Sequence, residues 1–178
     1  GELMVRREEQ PWESRATVVL DTRSLAHRGE GPTASFEWAV SAAASVALHL
    51  RHNGYKLRLV TDSGIDADAG EGGGEGVLLD HLAEVKLSGK GDIARLVDMV
   101  KHRTDGGLII GVFGLITPAE AELLASLRTN GATCLALLID STTWLNLPTM
   151  AREEAERAHG VAALALLRSG WRVVGVPH

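Results

Sequence analysis

The fold of this chain is decided by residues 17–25, which read Thr17-Val18-Val19-Leu20-Asp21-Thr22-Arg23-Ser24-Leu25. A short apolar, β-branched run that gives way to polar residues is typical of a buried parallel strand entering a loop. Asp21 then lies at the carboxyl end of that strand. Since open parallel sheets bind ligands beyond the carboxyl ends of their strands, this segment predicts both the fold class and the edge where a site should lie.

Four more strand-like segments follow along the chain, at residues 56–61, 108–115, 133–140 and 171–176. Helical patterns separate them, and this alternation is the signature of βαβ units. We therefore expect a single three-layer α/β/α domain, Rossmann-like, with a mainly parallel sheet in the order 2-1-3-4-5. Residues 1–16 are expected to form an amino-terminal extension or an edge strand, in a fragment of a longer protein.

The helices have clear start and stop signals. Phe36, Val40, Ala43, Ala47 and Leu50 recur at helical spacing, and Asn53-Gly54 ends the pattern. Thr117-Pro118-Ala119-Glu120 has the form of a capping box with proline at the first helical position. Further helices are expected over 77–87, 92–102 and 150–167. Residues 63–76 contain six glycines and four acidic residues, so we expect a flexible loop there.

Composition excludes several classes of function. The chain has 178 residues, 45% of them hydrophobic, and a net charge of -5, which argues against a nucleic-acid-binding surface. Its apolar runs are shorter than the roughly 18 to 20 residues that cross a bilayer, so this segment is expected not to be inserted in a membrane. Cys134 is the only cysteine, which rules out an internal disulfide.

Two glycine-containing segments resemble nucleotide-binding loops only in part. Gly29-Glu30-Gly31 opens a G-x-G-x-x-A pattern, but this pattern does not follow its strand directly, and Pro32 removes a backbone donor. Around Ser88-Gly89-Lys90-Gly91, the phosphate-loop pattern lacks its first glycine, and Gly91 stands where Ser or Thr would hold magnesium. We therefore expect no bound nucleotide cofactor.

Polar residues cluster at the predicted carboxyl edge of the sheet, and this edge is the candidate site for binding another protein. Carboxylates and hydroxyls there could also hold a hard cation, in which case the ligands would be Asp21, Ser24 and Asp62. The alternative is that the acidic residues only end strands and cap helices. The candidate residues are Asp21, Thr22, Arg23, Ser24, Asp62, Ser63, Thr117, Asp140 and Ser141.

Four segments carry a resemblance to a known family. They are Gly1-Glu2-Leu3-Met4-Val5-Arg6-Arg7-Glu8-Glu9-Gln10, Val18-Val19-Leu20-Asp21-Thr22, Phe36-Glu37-Trp38-Ala39-Val40-Ser41-Ala42-Ala43-Ala44-Ser45 and Leu57-Arg58-Leu59-Val60-Thr61-Asp62. The chain resembles the carboxy-terminal half of bacterial proteins of the domain of unknown function 58 (DUF58) family. Its alanine-rich composition suggests an actinobacterial homologue. That half is similar to a von Willebrand factor type A domain.

The resemblance implies partners and a location. Family members typically carry transmembrane helices in their amino-terminal part, so we expect the full-length protein to be anchored on the cytoplasmic side of the bacterial membrane. They are encoded beside AAA+ ATPases of the MoxR group, which makes such an ATPase the expected partner.

Type A domains often carry a metal-ion-dependent adhesion site of the form D-x-S-x-S. Here Asp21 matches, but Arg23 and Leu25 occupy the two serine positions, and Ser24 is out of register by one. The site also uses a Thr from a later loop, for which Ser88 is the weak candidate, and an Asp after the central strand, which is absent. A guanidinium beside a buried carboxylate can neutralise it without an ion, so we expect Arg23 or another cation to replace the metal.

The competing hypothesis is a Mg-dependent enzyme that uses Asp21, either a phosphatase of the haloacid dehalogenase type or a receiver-like protein. The phosphatase pattern D-x-D-x-[TV] fails at Arg23 and Leu25, so the general-acid carboxylate is missing. The sequence therefore favours a non-enzymatic protein-interaction module with a degenerate metal-ion-dependent adhesion site and no cofactor.

Overall fold

The structure is a computed structural model that describes residues 14–62, 66–68, 74–103 and 106–176. All five predicted strands are present, each within one or two residues of its expected ends, together with one short additional strand. The strands are β1 (Arg15–Leu20), β2 (Lys56–Thr61), β3 (Asp66–Asp68), β4 (Leu108–Phe113), β5 (Thr133–Ile139) and β6 (Arg172–Val176).

The strands form one sheet in the order β3-β2-β1-β4-β5-β6. All pairs among β2, β1, β4, β5 and β6 are parallel, so the predicted order 2-1-3-4-5 is confirmed. The central strand β1 is covered on both faces, and Val18, Val19 and Leu20 are each 0% exposed. This explains why its sequence is apolar without alternation.

Helices cover both faces of the sheet, which confirms the three-layer arrangement. They are α1 (Ser35–His52), α2 (Glu75–Glu84), α3 (Ile93–Arg103), α4 (Pro118–Ala125) and α5 (Thr149–Arg168). The buried side chains of α1 and α2 pack with Val18 and Leu20 in one core layer. Those of α3, α4 and α5 pack with Val19 and Phe113 in the other.

The predicted capping box at the start of α4 is present. The Thr117 hydroxyl accepts a hydrogen bond from the Glu120 backbone N–H at 3.2 Å, and the Glu120 Oε2 atom accepts one from the Thr117 N–H at 2.8 Å. Because both residues follow β4, the box fixes Glu120 at the carboxyl edge of the sheet. One local signal therefore positions a carboxylate that the site uses.

The structure describes only residues 66–68 and 74–76 of the segment 63–76, for which composition predicts a flexible loop; the rest of that segment lies outside the described residues. Asp66–Asp68 form β3, which pairs antiparallel with β2, and α2 already begins at Glu75. One edge of β2 pairs with β1, and β3 pairs with the other edge. A short acidic strand has the length and charge that are typical of the edge of a sheet. The expected amino-terminal edge strand falls largely on residues 1–13, which lie outside the described residues.

Candidate functional site

The carboxyl ends of neighbouring strands bring the predicted polar residues to one edge. Asp21 follows β1, and Asp62 follows β2 in the same register, since Leu20 pairs with Thr61. Gly114 and Leu115 follow β4, and the Asp21 backbone N–H donates to the Val112 carbonyl at 2.9 Å. The ends of β1, β2 and β4 therefore bring polar groups together at one edge of the sheet.

The centre of this edge is a two-pronged ion pair between Asp21 and Arg23. Arg23 Nε donates to Asp21 Oδ1 at 2.9 Å, and Arg23 Nη2 donates to Asp21 Oδ2 at 2.9 Å. The Arg23 backbone N–H adds a third bond to Oδ1 at 3.1 Å, and the Gly114 N–H donates to Oδ2 at 3.2 Å. Asp21 is 0% exposed and Arg23 is 8% exposed, so both oxygens of this carboxylate are engaged out of contact with water.

A second carboxylate holds the other side of the same guanidinium. Arg23 Nη1 donates to Glu120 Oε1 at 2.5 Å, and Nη2 also donates to the Leu115 carbonyl at 3.1 Å. Burial alone would lower the pKa of Arg23, but the hydrogen bond and charge of Asp21, together with the charge of Glu120, raise it above the ordinary value. The guanidinium is therefore a permanent cation between two carboxylates.

The loop that contains Arg23 is also tied to the loop before α3. The Ser88 N–H donates to the Thr22 carbonyl at 2.7 Å, and the Ser24 N–H donates to the Ser88 carbonyl at 2.9 Å. Gly91 packs so closely that a Cβ there would lie 2.7 Å from Arg23 Cγ and 2.0 Å from Asp62 Oδ2. Ser88 thus meets this loop through its backbone, and Gly91 is needed for the close approach.

Asp62 is a buried carboxylate that forms no ion pair with the described residues. It is 4% exposed, and neither oxygen has a hydrogen bond of good geometry among the described residues, although the Ser88 hydroxyl lies nearby. Burial raises the pKa of Asp62; the Ser88 hydroxyl opposes this rise, and the charge of Asp21 adds to it. The Thr22 hydroxyl oxygen is likewise buried without a partner in the described part of the chain.

His27 also belongs to this site, although no sequence pattern predicts it. Its Nε2 atom lies 2.7 Å from the Asp21 carbonyl oxygen, so Nε2 carries the proton and donates. Its ring stacks edge-on against Phe36, with ring centroids 5.3 Å apart. Burial lowers the pKa of His27, which favours the neutral ring, and the charges of Arg23 and Arg28 act in the same direction.

The remaining candidate residues have structural partners of their own. Thr117 caps α4, and the Asp140 carboxylate accepts hydrogen bonds from the backbone and the hydroxyl of Thr142. The Ser141 hydroxyl is buried and donates to the Ala26 carbonyl at 3.0 Å. For these residues the structural role expected as the alternative accounts for their position, and Ser63 lies outside the described residues.

The residues at this edge do not fit a divalent cation. Both Asp21 oxygens are held by Arg23 and Gly114, and the Arg23 side chain occupies the space beside the carboxylate. Leu25, at the second serine position of the pattern, is 80% exposed and offers no ligand. Across the described residues, no group of three or more His, Cys, Asp or Glu side chains is placed to hold a metal. An ion would first have to displace the guanidinium.

Comparisons with known proteins add little to this geometry. No family model matches the chain, and no curated protein matches it. Among solved structures, the chain is similar to the crystal structure of a CdALR mutant, with 9% sequence identity and a TM-score of 0.34. The match covers 94% of this chain and 46% of that chain, and at this level of similarity no residue role is transferred. Within the described ranges, no helix is long and apolar enough to span a membrane.

Proposed function

We propose that this chain is a protein-interaction module without catalytic activity, which recognises its partner through the carboxyl edge of its sheet and needs no metal ion to do so. The observation that carries the proposal is the two-pronged Asp21–Arg23 ion pair. It supplies a fixed positive charge where an adhesion site of the D-x-S-x-S type would hold a cation. The proposed site thus lacks most of the metal ligands of such an adhesion site but keeps the strand and loop that would hold them.

The surroundings of the ion pair support a role in binding. Leu25 is 80% exposed, two residues after a guanidinium that is held in place by two carboxylates. A large apolar side chain on a loop fixed by buried polar contacts loses little conformational freedom when it is covered by a partner. Leu25 is therefore the residue at this edge that we expect to contribute most to partner affinity.

The burial of Asp21 supports the binding module over an enzyme. A phosphatase-like or receiver-like reaction would need one oxygen of Asp21 free to attack phosphorus, with Mg²⁺ beside it. In this arrangement both oxygens accept charge-assisted hydrogen bonds from Arg23, and the carboxylate is 0% exposed. Any such reaction would begin by breaking this pair.

The partner and the location rest on the family resemblance. A MoxR-type AAA+ ATPase encoded beside the gene is the proposed partner, and the full-length protein is proposed to present this domain on the cytoplasmic side of the bacterial membrane. The absence of a membrane-spanning helix in the described ranges is compatible with that arrangement.

A pull-down with the neighbouring ATPase tests the proposal. The full-length protein should retain the ATPase, and Leu25→Glu should weaken retention at least about tenfold, as for a buried hot spot. Leu79→Glu is the matched control, because Leu79 is an exposed leucine of α2, 41% exposed, and α2 supplies none of the hydrogen-bond partners given above for Asp21 and Arg23. Equal retention by both variants, or no retention by the unchanged protein, would count against the proposal.

Titration calorimetry tests the metal-free character separately. Mg²⁺ and Mn²⁺ should give no saturable heat with the unchanged chain. Micromolar binding that disappears in Asp21→Ala would show that an ion displaces Arg23, and the proposed metal-free site would then be wrong.

A further inference from the structure

The guanidinium of Arg23 faces three carboxylates at the carboxyl edge of the sheet. The charges of Asp21, Glu120 and Asp62 all act on it and raise its pKa. Arg23 forms ion pairs with Asp21 and with Glu120, whereas Asp62 forms none with the described residues. One positive charge is therefore shared among three negative charges, and Asp62 is the carboxylate that the guanidinium does not bind.

The Asp62 carboxylate is buried without the donors that such a group requires. It is 4% exposed, and no described residue makes a hydrogen bond of good geometry to either of its oxygens. Burial raises the pKa of Asp62 more than the nearby Ser88 hydroxyl lowers it. A buried acceptor without a donor costs folding free energy, and native proteins retain few of them. A donor from another molecule would remove this cost.

The turn at residues 89–91 lies against Asp62. Gly91 is so close that a Cβ atom there would lie 2.0 Å from Asp62 Oδ2, and Gly91 is itself partly exposed. The carboxylate is therefore only one residue below the surface. Lys90 is exposed, and a Cβ atom at Gly89 would meet nothing within 4 Å. This turn has few side-chain contacts to lose when a slender group enters beside Gly91.

We propose that Asp62 binds the ammonium group of a lysine side chain of the partner protein, which enters beside Gly91. This inference rests on the proposed function, because the lysine belongs to the protein that covers Leu25. An ammonium group has three donors and no acceptor, which suits a carboxylate whose two oxygens lack donors. Its compact charge on a flexible stem also suits a narrow approach, whereas a guanidinium is planar and wider.

The proposed lysine position and Leu25 belong to two loops that are bonded to each other. The Ser24 N–H donates to the Ser88 carbonyl at 2.9 Å, and Leu25 follows Ser24 in the chain. The Ser88 side chain lies beside Asp62. One segment of the partner can therefore cover Leu25 and place a lysine at Asp62. That lysine brings a second positive charge to the three carboxylates.

Titration with n-butylammonium chloride, a stand-in for the lysine side chain, tests the site on the 178-residue chain without any partner. Backbone amide NMR at pH 7 should show saturable shifts in the millimolar range at Asp62, Ser88 and Gly91. Tetramethylammonium chloride at the same ionic strength should give none, because it has the charge but no N–H donor. Asp62→Asn should abolish the shifts, and Asp80→Asn, at an exposed aspartate of α2, should leave them unchanged.

Two outcomes of this titration would overturn the proposal. One is the absence of a saturable shift with n-butylammonium, or an equal response to both salts. The other is a response that persists in Asp62→Asn, which would place the ammonium group elsewhere.

The pull-down with the neighbouring ATPase separates this inference from the proposed function. Asp62→Asn should weaken retention by the full-length protein at least about tenfold, because the ammonium group of the partner would be left buried without its carboxylate. The same variant should unfold at a higher urea concentration than the unchanged chain, so a loss of fold cannot explain the loss of binding. Asp80→Asn is the control, because it makes the same change in charge at an exposed position.

The comparison with Leu25→Glu tells the two failures apart. If Leu25→Glu weakens retention and Asp62→Asn does not, the interaction module stands and the lysine site is wrong. Equal weakening by Asp62→Asn and Asp80→Asn would assign the effect to net charge and would also overturn the site. If the unchanged protein retains no ATPase, the proposed function fails, and the n-butylammonium titration alone decides whether Asp62 binds an ammonium group.

Discussion

Asp21 and Asp62 are two carboxylates in equivalent positions that have opposite surroundings. Each follows the last residue of a parallel strand, the strands are neighbours, and the side chains are 0% and 4% exposed. Asp21 is held by the guanidinium of Arg23, whereas Asp62 is bonded to no cation among the described residues and its pKa is raised by burial. Burial at a strand end therefore does not decide how a carboxylate behaves; the partner that the loop supplies does.

The difference divides the carboxyl edge into a closed half and a half with unmet polar groups. Around Asp21, every carboxylate oxygen has a donor and the loop is fixed. Around Asp62, the carboxylate and the Thr22 hydroxyl are buried without hydrogen bonds in the described part of the chain. Native proteins carry few such groups, and those that persist are concentrated where function requires them.

Removal of the cation from the closed half should have the largest effect. Arg23→Met leaves Asp21 buried and unpaired, and breaking a buried ion pair in this way costs about 3 to 5 kcal/mol. Urea unfolding followed by circular dichroism measures the loss. A loss below about 1 kcal/mol, the value typical of exposed pairs, would mean that the pair does not fix the loop.

The double variant Asp21→Asn/Arg23→Met gives the matched control. It removes both charges, so it should recover part of the stability that Arg23→Met loses. If the double variant is less stable than Arg23→Met alone, the loss comes from packing of the arginine stem rather than from the unpaired carboxylate.

The half with unmet polar groups should respond in the opposite direction. Asp62→Asn removes a buried charge to which no described residue makes a hydrogen bond of good geometry, so it should stabilise the chain at pH 7 by about 1 to 2 kcal/mol. A carboxyl whose folded pKa is raised binds more protons in the folded state. Its ionisation therefore removes stability as pH rises from about 3.9, the ordinary value, through the folded pKa.

The stabilisation by Asp62→Asn should consequently disappear as pH falls towards 4. Parallel urea titrations of both proteins at several pH values measure the difference. A gain that stays constant with pH would assign the effect to packing against Gly91 rather than to the charge.

Sequence alone was enough for the fold because its signals are local. Strand composition, helical spacing and the capping box each act within a few residues, and the alternation of strands with helices indicates a parallel sheet. The pairing of Arg23 with Asp21 was also within reach, since two residues of one loop are involved. Strand β3 was not predicted, because the formation of an edge strand depends more on a free edge of the neighbouring strand than on the β-propensity of its own residues.

The other contacts of the site could not be read from the sequence. Glu120 was recognised only as a helix cap, and its second oxygen meets Arg23 from 97 positions away along the chain. His27 is a lone histidine in a loop, and only the path of the chain brings it to the Asp21 carbonyl. Such contacts are set by strand order, and the residues themselves carry no local pattern for them.

His27 should make a smaller, pH-dependent contribution to the free energy of unfolding. Burial lowers its pKa, with Arg23 and Arg28 repelling the charged ring and Asp21 attracting it. The unfolded chain therefore takes up a proton first, and stability falls as pH drops below about 6.5, by at most about 1.4 kcal/mol per pH unit for one proton.

The variant His27→Gln should have a flatter stability profile between pH 7 and 5 than the unchanged chain, because glutamine keeps a donor for the Asp21 carbonyl and does not titrate. Thermal unfolding across this range measures both profiles. Identical slopes in the two proteins would show that other groups cause the acid destabilisation.

The smallest effect is expected at Leu25, and it distinguishes a missing ligand from a displaced ion. Leu25→Ser restores the second serine of the D-x-S-x-S pattern, but residue 25 is 80% exposed whereas Asp21 is 0% exposed. Its unfolding free energy should therefore stay within about 0.5 kcal/mol of the unchanged chain, as for most surface substitutions. Mg²⁺ titration should still give no saturable heat, because Arg23 continues to hold both oxygens of Asp21. If this single change conferred Mg²⁺ binding, the ion would have displaced the guanidinium of Arg23 from Asp21. The ion pair with Arg23 would then not explain why Asp21 and Asp62 differ.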